Sequence, residues 1–258
     1  MILSKINKAI KNPDKAIRYI LDGGEKGRQK KIFSVISDYK QDIIPLKELQ
    51  SFLGINLSEY YNELITNQDY KQIEIRLAEN WRNLGAFGLT ECRLLYIICR
   101  IVKPEIIIET GVASGLSSAI FLLALEKNDK GHLYSIDLPP SQELNIEIGQ
   151  HTTIPKNKRI GWIVPDSLRN RWTLELGDSK KILPQILDKL KKCDLFLHDS
   201  NHTYEHMTWE YETVWPFLKN MLLSDDIYRH GAFDDFVAKH NNCKTYKISN
   251  RMGIIKLV

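Results

Sequence analysis

The segment IIIETGVASG, residues 106–115, decides the fold of this 258-residue chain. Its three consecutive isoleucines are typical of a short, buried β-strand. The strand runs directly into a loop in which Gly111 and Gly115 permit a sharp turn and a close approach of the backbone to a ligand. An apolar helix is predicted from Ser117 to Leu125, and its free N-terminal N–H groups suit an anion such as a carboxylate. The segment therefore predicts a strand–loop–helix unit that holds a nucleotide-like ligand.

Strands and helices alternate along the C-terminal part of the chain. The predicted strands cover residues 106–108, 132–136, 172–176, 195–197 and 221–223, and the predicted helices cover residues 117–125, 179–190, 204–218 and 233–240. This alternation predicts an α/β fold in which right-handed crossovers build a parallel sheet that is covered on both faces. The ending differs, because strands at 245–248 and 253–257 flank a tight turn. They predict a hairpin whose last strand runs antiparallel to its neighbour.

Residues 1–88 are predicted to form a helical N-terminal extension or cap, followed by a cofactor-binding domain of residues 89–258. Apolar residues recur at helical spacing within residues 2–10, 17–21 and 57–81. Residues 1–31 hold nine Lys and Arg against three Asp and Glu, a net charge of +6, so the remaining chain carries −2. We expect a solvated helix face in this basic segment, with peripheral contact to an anionic membrane as the alternative. A nucleic-acid partner is not expected, because the rest of the chain is not basic.

Composition restricts the class of protein further. The chain is 43% hydrophobic and 26% charged, which is ordinary for a globular protein. No apolar run approaches the ~20 residues of a membrane span. The four cysteines form no CxxC pair, which indicates buried free thiols and a cytoplasmic location rather than zinc ligands or disulfides. The oligomeric state stays open, and a homo-oligomer is one of the alternatives.

Acidic residues stand where the first three strands end. The carboxylate of Glu109 suits the ammonium group of an amino-acid moiety and would repel a pyrophosphate. Asp137 follows the second strand, where a carboxylate can accept hydrogen bonds from both hydroxyls of a ribose. Asp178 follows the third strand and is predicted to bind an exocyclic amine, while Ser179 is predicted to cap the next helix. A helix cap or turn is the alternative role for Asp137. Ligands of open α/β sheets bind at the carboxyl ends of strands, so these residues are expected to share one site.

Further acids follow the fourth and fifth strands. Asp199 ends the fourth strand, and Asp225 with Asp226 ends the fifth, so their carboxylates are expected to face one another across the crevice. Converging carboxylates repel unless a cation joins them, and oxygen-only ligation suits a hard ion such as Mg²⁺. Such an ion binds a substrate hydroxyl and favours its alkoxide. The alternative is that one or two of these acids are helix caps.

Histidines surround the fourth strand end. His202 is the predicted general base, because an imidazole titrates near neutrality, and a solvated loop residue is the alternative. His198 is expected to point to the other face of the sheet and to have a structural role. His206 lies one helical turn beyond His202 and is placed at the entrance of the site without a chemical role.

The full set of motifs resembles a known family. The order ETGVASG, SIDLP, GDSKKIL, DLFLHDSNHTYEH, LLSDD and a C-terminal hairpin is similar to the class I S-adenosylmethionine-dependent methyltransferases. The HDSNHTYEHMTWEYETVWPFL block resembles the branch of the cation-dependent catechol and macrolide-sugar O-methyltransferases. The resemblance covers residues 89–258. It implies a Rossmann-like, seven-stranded sheet with the strand order 3-2-1-4-5-7-6 and strand 7 antiparallel, in agreement with the predicted hairpin.

The resemblance also implies a role for individual residues. The cofactor-binding set comprises Glu109, Gly111, Ser114, Gly115 and Ser117 for the methionine moiety, Asp137 for the ribose, and Asp178 with Ser179 for the adenine. The metal positions are Asp199, Asp225 and Asp226, and the catalytic positions are Asp199 and His202. The implied activity is methyl transfer to a hydroxyl of a small molecule or sugar with Mg²⁺ assistance.

Two other functions are compatible with parts of the sequence. A nicotinamide-dependent oxidoreductase would use the glycine loop and Asp137, but it gives no purpose to Glu109 or to the acids at positions 199, 225 and 226. A non-catalytic domain could retain the cofactor fold and act through its basic N-terminal helices. Acids at every strand end favour the methyltransferase over both.

Overall fold

The computed structural model describes residues 39–80, 88–139 and 158–258, together with the isolated positions 27, 30 and 154. The predicted helices within residues 2–10 and 17–21, and nearly all of the basic segment 1–31, lie outside the described residues. Among the described helices, none combines the length and the apolar character that a membrane crossing requires.

The secondary structure follows the predicted alternation. The helices are α1 (Ile43–Leu53), α2 (Ser58–Thr66), α3 (Gln68–Asn80), α4 (Leu89–Val102), α5 (Leu116–Asn128), α6 (Ser179–Leu190), α7 (Tyr204–Val214) and α8 (Ala232–Lys239), with 3-10 turns at Tyr39–Asp42, Asp166–Arg171 and Trp215–Phe217. The strands are β1 (Ile106–Thr110), β2 (His132–Asp137), β3 (Trp172–Leu176), β4 (Cys193–His198), β5 (Leu218–Ser224), β6 (Cys243–Ile248) and β7 (Met252–Leu257).

The seven strands form one mixed sheet in the order β3-β2-β1-β4-β5-β7-β6. Strands β1 to β5 pair in parallel, whereas β7 runs antiparallel to both β5 and β6. The order and the antiparallel hairpin confirm the fold expected from the sequence. Thr110 pairs with Ile136 on one side and with His198 on the other, and His198 pairs with Ser224. The residues that follow β1, β2, β4 and β5 therefore meet at one edge of the sheet.

Two predicted helices differ from the observed ones. The stretch 57–81 is divided into α2 and α3 at Asn67, whose backbone is extended and whose side chain accepts a hydrogen bond from the N–H of Tyr70 at 3.0 Å. The predicted helix 204–218 ends at Val214. Pro216, in the 3-10 turn that follows, has no N–H with which to continue the helical hydrogen bonds.

Hydrophobic cores cover both faces of the sheet. Helices α1 to α5 share one core with the face that carries Leu195 and Leu197, and α6 to α8 pack on the face that carries Phe196. Alternate residues of β4 thus point into different cores, as expected for a strand buried on both sides. The described N-terminal helices are therefore part of the same packed body as the sheet.

A buried ion cluster joins these N-terminal helices to α4. Arg93 is fully buried, and its Nη1 donates to both carboxylate oxygens of Asp42 at 2.9 and 3.0 Å. Its Nε donates to the hydroxyl of Tyr70 at 2.7 Å, and Glu74 lies 3.6 Å from its Nη2. Such a cluster fixes the helices in one arrangement, because moving either partner would leave a buried charge without compensation.

Candidate functional site

The carboxyl edge of the sheet is held together by backbone hydrogen bonds just beyond the strands. The N–H of Gly111 donates to Ile136 at 2.9 Å, and the N–H of Asp199 donates to Thr110 at 2.8 Å. The N–H of Asp225 continues this pattern by donating to His198 at 2.9 Å. These bonds bring the loops after β1, β4 and β5 side by side, as the sequence predicted.

Gly111 is required at its position by two independent features. Its φ is +88°, a conformation that L side chains rarely adopt. A Cβ at this residue would lie 1.9 Å from the carbonyl oxygen of Asp199. The glycine therefore allows the cofactor loop to pass directly against the loop that carries the candidate catalytic residues.

Gly115 permits a second close approach, which the sequence did not predict. Its φ is +87°, and a Cβ there would lie 2.7 Å from the Cα of Gly161. Residues 160–164, called the strap below, run across the glycine loop. The N–H of Gly161 donates to Ala113 at 2.9 Å, and the N–H of Ile163 donates to Ser114 at 3.0 Å. Ser114 and Ser117 are buried.

Glu109 is fully buried within β1. Its Oε1 accepts a hydrogen bond from the hydroxyl of Ser118, whereas its Oε2 makes no hydrogen bond of ordinary length with the described residues, and the hydroxyl of Ser135 is its nearby polar group. Burial raises the pKa of Glu109 to about 8. A buried acceptor without a donor is costly, so this oxygen is suited to a ligand that brings a donor, and best to one that brings positive charge.

Asp137 lies at the end of β2 and faces the glycine loop. Its Oδ2 accepts a hydrogen bond from the N–H of Ala113 at 2.8 Å, and its Oδ1 accepts one from the N–H of Leu138 at 2.9 Å. Burial raises its pKa to about 6. Each oxygen retains a lone pair, so the carboxylate is positioned to accept hydroxyl groups of a ribose beside the loop.

The residues after β3 differ from the sequence prediction in which of them caps the helix. Asp178 is exposed and caps α6, because its side chain accepts a hydrogen bond from the N–H of Lys180 at 2.9 Å. The prediction that Ser179 caps this helix is therefore wrong. The hydroxyl of Ser179 instead lies 3.2 Å from Nε2 of His206. Both side chains remain at the rim of the site.

Asp199, His202 and Asp225 form the group that converges beyond β4 and β5. One donor atom from each lies within 4.8 Å of the others, and Nε2 of His202 is 3.6 Å from Oδ1 of Asp199. Burial, and then the neighbouring Asp225 carboxylate, raise the pKa of Asp199 well above its usual value. Burial, and then the ring of His198, lower the pKa of His202 to about 4, so its imidazole is neutral at neutral pH. Nε2 of His202 has no hydrogen-bond partner among the described residues.

Arginines compensate the acids that follow β5, a feature that sequence reasoning missed. Arg251 donates from Nε and Nη2 to the two oxygens of Asp225 at 2.9 and 3.0 Å. Asp226 has a φ of +49°, and its carboxylate lies 2.7 Å from Nη2 of Arg229. Asp226 is therefore outside the converging group, and His202 takes the third place in it.

A buried carboxylate, Glu210, organises the other side of β4. It accepts hydrogen bonds from the hydroxyl of Thr110 at 2.5 Å and from the hydroxyl of Ser200 at 2.9 Å, and it also pairs with Nδ1 of His198 at 2.6 Å and Nε2 of His206 at 2.9 Å. Burial would raise the pKa of Glu210, but the histidines hold it well below its usual value. His198 thus has the structural role that the sequence predicted, while His206 is bound to Glu210.

The donor sets fit the groups that the sequence implied. The free oxygen of Glu109 beside Gly111 suits the ammonium group of an amino-acid moiety. Asp199, Asp225 and the unpartnered nitrogen of His202 suit a divalent cation. A set of one imidazole and two carboxylates suits Mn²⁺ better than Mg²⁺, because Mg²⁺ prefers oxygen ligands alone.

Comparison with known proteins finds a matching family model and several similar folds. Residues 108–227 match the family model of a methyltransferase domain. No curated protein matches the chain in sequence. A putative caffeoyl-CoA O-methyltransferase from Staphylococcus aureus superimposes with a TM-score of 0.53 at 15% identity, covering 78% of this chain and 98% of that chain.

Two further solved structures have a similar fold. An O-methyltransferase from Streptomyces achromogenes, involved in tomaymycin synthesis and solved with S-adenosylmethionine, gives a TM-score of 0.51 at 12% identity over 79% of this chain and 99% of that chain. An O-methyltransferase from Bacillus cereus, solved with S-adenosylhomocysteine, gives 0.51 at 14% identity over 78% and 96%. The chain therefore shares the fold of these O-methyltransferases, and its residues 108–227 match the model of a methyltransferase domain.

Proposed function

We propose that this chain transfers a methyl group from S-adenosylmethionine to a hydroxyl of a small molecule or sugar, with assistance from a divalent cation. The observation that carries the proposal is the unpartnered buried oxygen of Glu109. Glu109 is in β1, directly before the loop that Gly111 holds against Asp199. A site for an amino-acid ammonium and a set of candidate acceptor-binding groups therefore lie on adjacent loops.

We assign the cofactor contacts to residues at the strand ends. Glu109 is assigned to the ammonium group of the methionine moiety, with Gly111, Ser114, Gly115 and Ser117 shaping the surrounding loop and helix start. Asp137 is assigned to the ribose, and Asp178 with Ser179 is assigned to the adenine. When bound, S-adenosylmethionine supplies an electrophilic methyl group on its sulfonium. The protein's part is to align this group with the acceptor oxygen.

The acceptor oxygen is assigned to the space beside Asp199. His202 is neutral and its Nε2 is free, so it is the candidate acceptor of the hydroxyl proton, but its lowered pKa makes the imidazole a weaker base than the near-neutral one expected from the sequence. Asp199 and Asp225 would hold a divalent cation, with His202 within reach as a third donor. Such a cation stabilises negative charge on the acceptor oxygen when bound. A His202 that binds a cation cannot also accept a proton, so cation dependence distinguishes its two roles.

The N-terminal helices are proposed to form a cap that selects the acceptor. Nη1 of Arg76 on α3 donates to the carbonyl of Ile163 in the strap at 2.9 Å. At the start of α4, a Cβ on Gly88 would lie 3.6 Å from Nη1 of Arg251. The hydrogen bond of Arg76 places the helical region next to the strap on the cofactor loop. The nearness of Gly88 to Arg251 places it next to the acidic group.

Transfer of a radiolabelled methyl group tests the function directly. We expect the full chain to label at least one acceptor in a panel of catechols, phenols and hydroxylated sugars, and chelation by EDTA is expected to lower the rate. Transfer confined to amine acceptors in a matched panel would contradict the assignment to oxygen. Undiminished transfer in EDTA would remove the cation from the mechanism.

A further inference from the structure

Arg251 lies in the turn between β6 and β7 and reaches the end of β5. Its guanidinium contacts both oxygens of Asp225, and its Nε is 3.5 Å from Oδ1 of Asp226. The backbone around it is also fixed, since its N–H donates to Ile248 at 3.0 Å and its carbonyl accepts from the N–H of Ile227 at 3.1 Å. The hairpin turn therefore presents a cation to the acidic group from a defined position.

The guanidinium of Arg251 is bound to the carboxylate of Asp225, which a divalent cation would need as a ligand. The Asp225 side chain is only 3% exposed, and both of its oxygens are used by Arg251. A donor atom of Asp225 also belongs to the converging group formed with Asp199 and His202. A divalent ion in that group would lie beside the guanidinium, and like charges at this separation repel strongly in a half-buried site.

Arg251 has room and alternative partners if it leaves Asp225. Its side chain is 37% exposed, whereas that of Asp225 is buried. The carboxylate of Glu91 lies near the same guanidinium. Both groups border Gly88, because a Cβ built on Gly88 would lie 2.0 Å from Oε2 of Glu91 and 3.6 Å from Nη1 of Arg251. After release from Asp225, Arg251 would therefore lie between Glu91, Asp226 and solvent. It would not become an unpaired charge in the core.

We propose that Arg251 is an internal cation that competes with a divalent ion for Asp225 and so sets the affinity of the acidic group for that ion. Binding of the ion then requires the guanidinium to withdraw from Asp225. The inference rests on the proposed role of Asp199 and Asp225 in holding a cation. It goes beyond that role, because it assigns control of the group to a residue of the C-terminal hairpin.

Calorimetric titration of the full chain with Mn²⁺ tests the competition. We expect Arg251→Gln to bind Mn²⁺ at least about tenfold more tightly than the unaltered protein, because one positive charge beside the ion has been removed. Arg229→Gln is the matched control. Arg229 pairs with Asp226 outside the converging group, so its removal is expected to change the affinity by less than about threefold. Equal affinity in the unaltered protein and in Arg251→Gln would overturn the proposal.

Two more variants keep the test decisive if Arg251→Gln folds poorly. Arg251→Lys keeps the charge but loses the bidentate contact with Asp225. We expect its affinity for Mn²⁺ to lie between those of the unaltered protein and Arg251→Gln. Asp225→Asn is expected to remove the tight Mn²⁺ binding, which locates the ion. If none of the variants binds Mn²⁺, the proposal is wrong. S-Adenosylmethionine titrated into the same samples reports separately on the proposed function.

Discussion

Replacement of Glu109 by glutamine is expected to weaken binding of S-adenosylmethionine by a factor of about 30 or more. The reason is the loss of a charge-assisted hydrogen bond to the ammonium group, worth about 2 kcal/mol. Calorimetric titration at pH 8 measures the change. Glu175→Gln is the control, because Glu175 is an exposed carboxylate on β3. It is expected to bind as the unaltered protein does.

The same replacement is expected to stabilise the fold. The pKa of Glu109 is about 8 in the folded protein, whereas an unfolded glutamate titrates near 4.5. Its contribution to stability is therefore complete below about pH 4.5 and is lost as the pH rises to 8, because the unfolded chain releases the proton first. Glutamine has no such dependence. The advantage of Glu109→Gln should reach about 2–4 kcal/mol in urea unfolding at pH 8.

The two effects of Glu109→Gln have opposite signs, which makes the prediction specific. A merely structural glutamate would lose stability on replacement and leave the cofactor affinity nearly unchanged. Parallel pH profiles of stability in the two proteins would contradict the burial of an ionisable group at this position. Unchanged affinity would remove Glu109 from the cofactor site.

Replacement of Glu210 by glutamine is expected to destabilise the protein by about 3–5 kcal/mol. Its carboxylate is buried and is the common partner of two hydroxyls and two imidazoles, and an amide cannot accept all of these bonds. Urea unfolding at pH 7 measures the loss. Cofactor affinity should fall as well, because Thr110 and Ser200 adjoin the loops after β1 and β4.

The matched control for Glu210 lies on the same helix. Glu212 is exposed, so Glu212→Gln is expected to change the free energy of unfolding by less than about 0.5 kcal/mol. A similar small loss for Glu210→Gln would show that the four contacts contribute little. That outcome would contradict the role of Glu210 as the residue that holds the loops in register.

The sheet could be predicted from the sequence because its signals are local. Short apolar runs between helices define parallel strands, and ligand-binding residues follow the strands directly. Glu109, Asp137 and Asp199 could therefore be assigned to one edge of the sheet from the sequence alone. The hairpin could also be predicted from the sequence, because two strands flank a tight turn.

The partners of these residues were less accessible, because they come from distant parts of the chain. Arg251 reaches Asp225 across 26 positions, through a register that pairs Ser224 with Gly253. The hairpin itself was predicted, but an isolated arginine in its turn does not indicate which acid it pairs with. The spacing of His206 and Glu210, four residues apart on a helix, would have indicated a pair.

The strap could not be predicted at all. It is a short apolar run, IGWIV, within an otherwise polar stretch without periodicity, and its place on the glycine loop depends on tertiary contacts. Gly161 packs against Trp172, while Arg169 donates to the carbonyls of Gly161 and Val164 at 2.8 and 3.1 Å. Single residues of these types occur in many loops, so the packed arrangement gives no recognisable sequence pattern.

The glycine loop and Glu109 are expected to bind S-adenosylmethionine rather than a dinucleotide. Calorimetric titration of the full chain with S-adenosylmethionine, S-adenosylhomocysteine and NAD, each in separate runs, tests it most directly. We predict saturable, one-to-one binding of the first two and no heat of binding with NAD. Saturable binding of NAD without binding of S-adenosylmethionine would contradict the account.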